Sequence, residues 1–168
     1  MKNILLISDT HGFLDEKLLK HIKNADEVWH AGDIGDPAIA RQIEGMKPFR
    51  AVYGNIDGQE IRNQYPENDL FNIESVKVLM THIAGTPANY SKRVRDLISL
   101  QRPDLLVCGH SHILKVEYSK QLGLLHLNPG AAGVQGFHHV KTALRFGISG
   151  AGVKNMAVIE LGLRTSVT

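Results

Sequence analysis

The sequence predicts an α/β domain with two packed sheets and helices on the outside, and three observations carry that prediction. Up to about residue 103, apolar runs of strand length alternate with stretches whose apolar residues keep helical spacing. Beyond His112 the pattern changes to strands and turns without long helices. One strand-length run after another also stops at a turn carrying Asp, Asn or His, and open α/β sheets bind their ligands beyond the carboxyl ends of their strands.

Asn3 to Ile7 reads as a strand buried on both faces, broken at Ser8-Asp9-Thr10-His11-Gly12. Residues 13–25 follow as a helix, with Leu14, Leu18, Leu19 and Ile22 on one face and Asp15 and Glu16 near its start, where the macrodipole favours negative charge. Glu27 to His30 is a second strand ending at Ala31-Gly32-Asp33, and Asp36-Pro37 opens a helix through Ile43, Asp36 capping it. Trp29 reads as core, and His30 as a satisfied buried or supporting histidine. Phe49 to Tyr53 forms a third strand that ends at Gly54-Asn55-Ile56-Asp57-Gly58. A polar stretch around Asn63 to Asn68 leads to two antiparallel strands, Leu70 to Ile73 and Val76 to Met80, the second ending at Thr81-His82.

Residues 88–101 read as a helix stopped by Pro103, before the strand that delivers Gly109-His110-Ser111-His112. In an extended segment residues i and i+2 point the same way, so His110 and His112 are expected to face one cleft. Ile113 to Tyr118 and Leu122 to Leu127 make a hairpin before the turn Asn128-Pro129-Gly130. Val140 to Ile148 and Met156 to Leu161 are further strands linked by Ser149-Gly150-Ala151-Gly152, and the tail from Arg164 to Thr168 is expected to fray.

The chain has 168 residues, 43% of them hydrophobic and 21% charged, which suits one domain spanning 1–168 with a sizeable core. Its 19 basic and 17 acidic residues leave no basic block beyond Lys92-Arg93-Val94-Arg95, a solvated helix face, so a nucleic-acid polymer is not an expected partner. Cys108 is the only cysteine, which excludes an internal disulfide and a thiolate metal cluster, and its apolar setting makes it a small buried hydrophobe. The apolar run after Met1 is too short for a signal peptide and no segment is long enough to span a membrane, so a cytoplasmic protein is expected.

Five strands therefore end in Asp9 with His11, Asp33, Asn55 with Asp57, His82, and His110 with His112. Taken singly, Asp9 or Asp33 suits a helix cap, Asn55 a turn and His82 a core position. Together they supply more imidazole, carboxylate and amide donors than one zinc ion needs, which points to two adjacent ions sharing a carboxylate and to hydrolysis at phosphorus.

The ordered motifs Asp9-Thr10-His11, Gly32-Asp33, Gly54-Asn55-Ile56-Asp57, Thr81-His82, Gly109-His110-Ser111-His112 and Asn128-Pro129-Gly130 resemble the calcineurin-like metallophosphoesterase superfamily, in its small YfcE-like branch. The resemblance spans residue 3 to about 130. It implies a four-layer α-β-β-α sandwich of two mixed sheets. It further implies that Asp9, His11, Asp33 and His112 hold one ion and that Asp33, as bridge, with Asn55, His82 and His110 holds a second. Manganese is the implied activating ion, with iron, zinc, nickel or cobalt as alternatives.

The implied activity is hydrolysis of small phosphodiesters or activated phosphate esters by a metal-bridging hydroxide, with Asp33, Asn55 and His82 positioning hydroxide and phosphate. Many larger relatives carry a general-acid histidine directly after the asparagine, where this chain has Ile56. Such an acid contributes about 10²- to 10⁴-fold, so its loss is expected to favour diesters and good leaving groups. Asp57 reads as a brace for the turn or, alternatively, as an acid. His138 or His139, near Lys141 and Arg145, is a candidate to reach over the cleft and replace the acid or bind phosphate. The rival reading is a non-catalytic scaffold resembling a retromer subunit, against which the complete ligand set argues. A homodimer or higher oligomer is expected, paired through the strand-rich tail.

Overall fold

The computed structural model describes residues 1–165. Its strands are β1 (Lys2–Ile7), β2 (Glu27–His30), β3 (Phe49–Ala51), β4 (Asn68–Ile73), β5 (Val76–Thr81), β6 (Gly85–Thr86), β7 (Asn89–Tyr90), β8 (Leu105–Val107), β9 (Leu114–Ser119), β10 (Leu124–Pro129), β11 (Val140–Ser149) and β12 (Gly152–Leu163). Its helices are α1 (Glu16–Asn24), α2 (Pro37–Glu44), α3 (Gln59–Gln64) and α4 (Lys92–Gln101).

Two five-stranded sheets form, one ordered β12-β11-β1-β2-β3 and the other β4-β5-β8-β10-β9. In the first, β1 runs parallel to β2 and β2 to β3, while β11 is antiparallel to its neighbours. In the second, β5, β8 and β10 are parallel and β4 and β9 flank them antiparallel. Both sheets are therefore mixed, and the parallel strands of both read as continuous apolar runs because both their faces are covered.

Side-chain parity builds the layers. Ile4 and Leu6 of β1 face the second sheet and pack with Trp29, Val78, Leu105, Val107 and Leu127, whereas Leu5 and Ile7 face outward onto Leu18 and Ile22 of α1 and Ile39 and Ile43 of α2. On the far side, Val94 and Ile98 of α4 cover Leu79, Leu106 and Cys108. The result is helix, sheet, sheet, helix, with the carboxyl ends of β1, β2, β3, β5 and β8 carrying the sequence motifs. No helix among the described residues is long and apolar enough to cross a membrane.

Several expectations change in detail. The helix expected over 13–25 begins at Glu16, because Asp15 is its N-cap, accepting from Lys17 N at 2.9 Å. Asp36 caps α2 as expected, with Pro37 in the first turn. The helix expected over 88–101 begins at Lys92, where Ser91 accepts from Val94 N, and a two-stranded ribbon, β6 with β7, precedes it. The polar stretch before β4 contains α3, whose six residues are too few for a periodicity to show. β12 starts at Gly152, so most of the expected glycine-rich linker is a two-residue turn. Of the expected frayed tail, Arg164 donates to His139 O at 2.8 Å, and residues 166–168 lie outside the described residues.

Candidate metal centre

The backbone bends sharply wherever a candidate ligand leaves its strand. Asp9, His11, Asp33, His110 and His112 all have positive φ, between 47° and 69°, and they are five of the eight non-glycine residues that do so among the described residues. Such conformations cost energy in L residues and concentrate at functional sites. This corrects the extended i, i+2 argument for the two histidines. β8 ends at Val107, and His110 and His112 reach one cleft through a left-handed turn that sends them to different donor groups.

Two groups result, Asp9 with His11 and His112, and Asp33 with His82 and His110, each with ligand atoms within 4.8 Å of one another and able to hold a metal ion. Asp9 Oδ2 is occupied, accepting from Ser8 Oγ at 2.6 Å and from His110 N at 3.1 Å. Its Oδ1 has no hydrogen-bond partner although buried, and stands 3.2 Å from His112 Nε2 and 3.8 Å from both His11 Nε2 and His82 Nε2. Asp33 repeats the plan. Its Oδ1 accepts from Ile56 N at 3.1 Å, and its Oδ2 lies 3.1 Å from His82 Nε2 and 3.5 Å from His11 Nε2, between the two groups. Asn55 completes the ring, with Oδ1 3.1 Å from His82 Nε2 and 3.0 Å from His110 Nδ1.

These contacts bring acceptors face to face. His82 Nδ1 donates to Ala31 O at 2.7 Å, so in the neutral ring Nε2 carries a lone pair aimed at two side-chain oxygens. Lone pairs that converge in a buried site need positive charge between them, from a proton or a metal ion. Without a metal the protons respond. Burial alone would raise the Asp9 carboxyl, yet the imidazoles of His11, His112 and His82 hold it well below the carboxylate range. The neighbouring Asp9 carboxylate raises His11, and Asp33 and Asp9 raise His82 against its burial. Burial and the His82 charge lower His110. His11 Nε2, like Asp9 Oδ1, is buried without a hydrogen bond. Two such orphaned atoms among nitrogen and oxygen donors fit a bound metal.

The chain packs tightly around the donors. A Cβ on Gly54 would collide with the Asp33 carboxylate, and one on Gly109 with Ser8 Oγ and the Asp9 carboxylate, so both positions require glycine for close approach rather than for dihedral freedom. Asp57 does not face the cleft. Its carboxylate accepts from Gly35 N at 2.8 Å, Gly54 N at 2.8 Å and Ile34 N at 3.2 Å, joining the turns that carry Asp33 and Asn55. His30 is fully buried. Its Nδ1 accepts from Gly32 N, its Nε2 meets Thr10 Oγ1 at 2.9 Å, and Thr10 donates on to Ile34 O. Burial pushes His30 down to about 4, so it supports the turns as a neutral ring.

Of the two later histidines, only His138 comes close. Its ring lies 5.2 Å from that of His112, its Nε2 donates to Gly133 O at 2.8 Å, and its buried Nδ1 has no partner. His139 is exposed, and its carbonyl accepts from Arg164 N. Lys141 and Arg145 do not reach over the cleft. Both lie on the outer face of β11 with Ala143, where Lys141 is buried against Asp15 at 2.7 Å and Arg145 lies beside His21 of α1.

The sequence reading placed Ser8 and Asn128 in turns without giving either a role in the site, where Ser8 fixes Asp9 and Asn128 donates to Gly109 O at 3.0 Å and Ser111 Oγ at 3.1 Å beneath His110. It overlooked Arg62, whose guanidinium donates to the carbonyls of Asp57 at 2.6 Å and Asn55 at 3.2 Å. Ser8 adjoins Asp9 and Asn128 heads a turn of its own, which is the signal in the sequence, whereas nothing local marks Arg62.

A family model described as the calcineurin-like phosphoesterase superfamily domain matches residues 1–150. The chain belongs to that superfamily. A probable metallophosphoesterase of Methanothermobacter thermautotrophicus is 30% identical over 131 residues, covering 75% of this chain and 74% of the relative. Two solved structures share the phosphoesterase fold at lower identity. A conserved Streptococcus pneumoniae protein described as a predicted phosphoesterase has a TM-score of 0.72 and 22% identity, over 95% of this chain and 90% of its own. Wild-type Vps29 of Entamoeba histolytica, solved in complex with zinc, also has a TM-score of 0.72, at 16% identity over 95% of this chain and 99% of its own.

Proposed function

We propose that this phosphoesterase-family chain hydrolyses small phosphodiesters with the help of two divalent metal ions. The observation that carries the reading is the meeting of the two donor groups at Asp33 Oδ2, 3.1 Å from His82 Nε2 and 3.5 Å from His11 Nε2. In this reading Asp9, His11 and His112 would hold one ion and Asn55, His82 and His110 the other, with Asp33 shared between the two groups. When bound, such a pair of ions acidifies a water toward neutrality and offsets charge on a phosphoryl group. Manganese is the ion that the family resemblance implies, and nitrogen and oxygen donors without sulfur accept it as they accept iron, zinc, nickel or cobalt.

The chain's own residues orient the reactants. Asp9 and Asp33 each have one oxygen tied down by hydrogen bonds, which fixes the direction of the other. Beside Asn55 and His82 opens a cavity of about 450 Å³ whose walls include Arg62 and Arg93. Arg93 is held by the neutral acceptors Asn68 Oδ1, Thr81 Oγ1 and Ile83 O, and Arg62 by backbone carbonyls, so both keep their charge available to an anionic ester. The cavity gives the second arm of a diester a place to lie.

Among the described residues, no side chain in the cleft is set to protonate a departing alkoxide. Ile56 follows Asn55, and His138 turns its N–H to Gly133 O, leaving only a lone pair at Nδ1. Esters whose leaving groups need no proton are therefore favoured. With metal-stripped protein and manganese titrated back, kcat/KM for bis(p-nitrophenyl) phosphate should exceed that for an alkyl phosphate monoester by at least about 100-fold. An alkyl monoester turned over as fast as the aryl diester would refute the preference. No turnover with any divalent metal would transfer the reading to a non-catalytic interaction scaffold of the same fold.

A further inference from the structure

Every sheet edge exposes unpaired backbone groups, and proteins usually blunt such edges. Here β3 is three residues long, and β12 is bulged, with register shifts at Lys141/Thr142 and Arg145/Gly147 against β11. β4 carries Asn68, Asp69 and Asn72, and its Phe71 lies against Trp29 and under Arg50. β9 is different. Like β4 it is an outermost strand paired over six residues without a shift, but alternate residues Leu114, Val116 and Tyr118 along it are apolar and exposed.

The face that β9 turns toward the space between the sheets is apolar and uncovered. Leu114, Val116 and Tyr118 stand opposite Pro129, Leu127 and Leu125 of β10, so they share the side of the sheet that holds the inter-sheet core. Yet they are 36%, 45% and 60% exposed. Val158 of β12 lies on the corresponding face of the other sheet, opposite Leu144, and is exposed as well. The core thus runs out to an open flank bounded by two edge strands, and contiguous exposed apolar residues there offer an interaction surface.

The charges on β9 specify what covers it. Leu114-Lys115-Val116-Glu117-Tyr118 reads apolar, basic, apolar, acidic, apolar, and the reversed segment is its complement. A twofold axis perpendicular to the sheet keeps the apolar face on one side in both copies, and it must pass through a residue that faces itself. Centred on Val116, antiparallel pairing sets Lys115 opposite the second copy's glutamate and Leu114 opposite its tyrosine. Centred on Lys115 or Glu117, it would set like charges face to face, which destabilises a strand pair. We propose that β9 is a dimerisation edge at which a second copy of this chain pairs antiparallel about Val116, joining two five-stranded sheets into one. Within one copy Lys115 and Glu117 lie 3.0 Å apart, both on the face of β9 opposite to Leu114, Val116 and Tyr118, so the charges pair on one side of the joined sheet and the apolar residues on the other.

The arrangement is isologous, and charge reversal tests it because its double variant restores the pattern. Light scattering after gel filtration and sedimentation velocity on the full chain should show a dimer. Lys115→Glu and Glu117→Lys should each raise the dissociation constant at least about tenfold, and Lys115→Glu/Glu117→Lys should restore it. Unchanged circular dichroism in each variant shows that the fold survives these exposed substitutions. A monomeric wild-type chain at 100 µM, single reversals that leave the dimer intact, or a double variant that stays monomeric would each overturn the proposal. None of these outcomes bears on the metal site, which β9 does not supply.

Discussion

Asp57 shapes the metal centre without facing it. Three backbone amides from two turns converge on its carboxylate, so replacing it with alanine leaves buried donors unsatisfied. Asp57→Ala should lower unfolding free energy by about 2–4 kcal/mol and weaken metal binding by at least about tenfold. Urea denaturation and competition with a chromophoric chelator would measure the two effects, and an unchanged metal affinity would show that the turns hold their shape unaided. At this scale the sequence revealed which residues matter, because ligand chemistry resides in residue type. It did not reveal how they are aimed. His110 and His112 depend on positive φ that no extended pattern implies, and Lys141, adjacent in sequence to the loop of His138, turns away because β11 parity sends it to Asp15.

At the scale of elements, β10 shows how a strand is locked in place. From its outer face His126 meets Tyr90 of β7, with the hydroxyl 2.7 Å from Nδ1, and Cys108 just beyond β8, with Sγ 3.6 Å from Nε2. Burial pushes His126 down to about 4 and the Cys108 thiol up to about 12, so both are neutral and the thiol is a packing group. A histidine lowered from its ordinary 6.5 binds its proton in the unfolded chain before the folded one. Its contribution to stability is therefore complete above pH 6.5 and is lost as pH falls toward 4. Between pH 7 and 4.5, His126→Gln should reduce the acid-induced loss of unfolding free energy by roughly 2 kcal/mol, measured by urea denaturation at both values. An identical loss in the two proteins would refute this role. The long elements were legible because apolar periodicity and the Asp36-Pro37 cap announce them. β6, β7 and α3 were not, being too short to show a period.

Across the whole molecule, the centre exists only where the two sheets meet. Asp9, Asp33 and Asn55 follow strands of one sheet, and His82, His110 and His112 follow strands of the other. The inter-sheet core around Trp29, Leu105 and Leu127 sets their spacing, and a metal that binds both sets ties the layers together. The layered fold could be read from the change between helix-alternating strands and hairpins. The flank at β9 could not, since apolar alternation on an edge strand looks the same whether its face is covered or open. The most direct test of the account is calorimetric titration of manganese into metal-stripped wild-type and Asp33→Asn proteins, with bound metal counted by elemental analysis. Two ions per chain in the wild type, with the second markedly weakened in the variant, is the predicted result. Uptake of one ion or none by the wild type, or two equally tight ions in the variant, would contradict a centre bridged by Asp33.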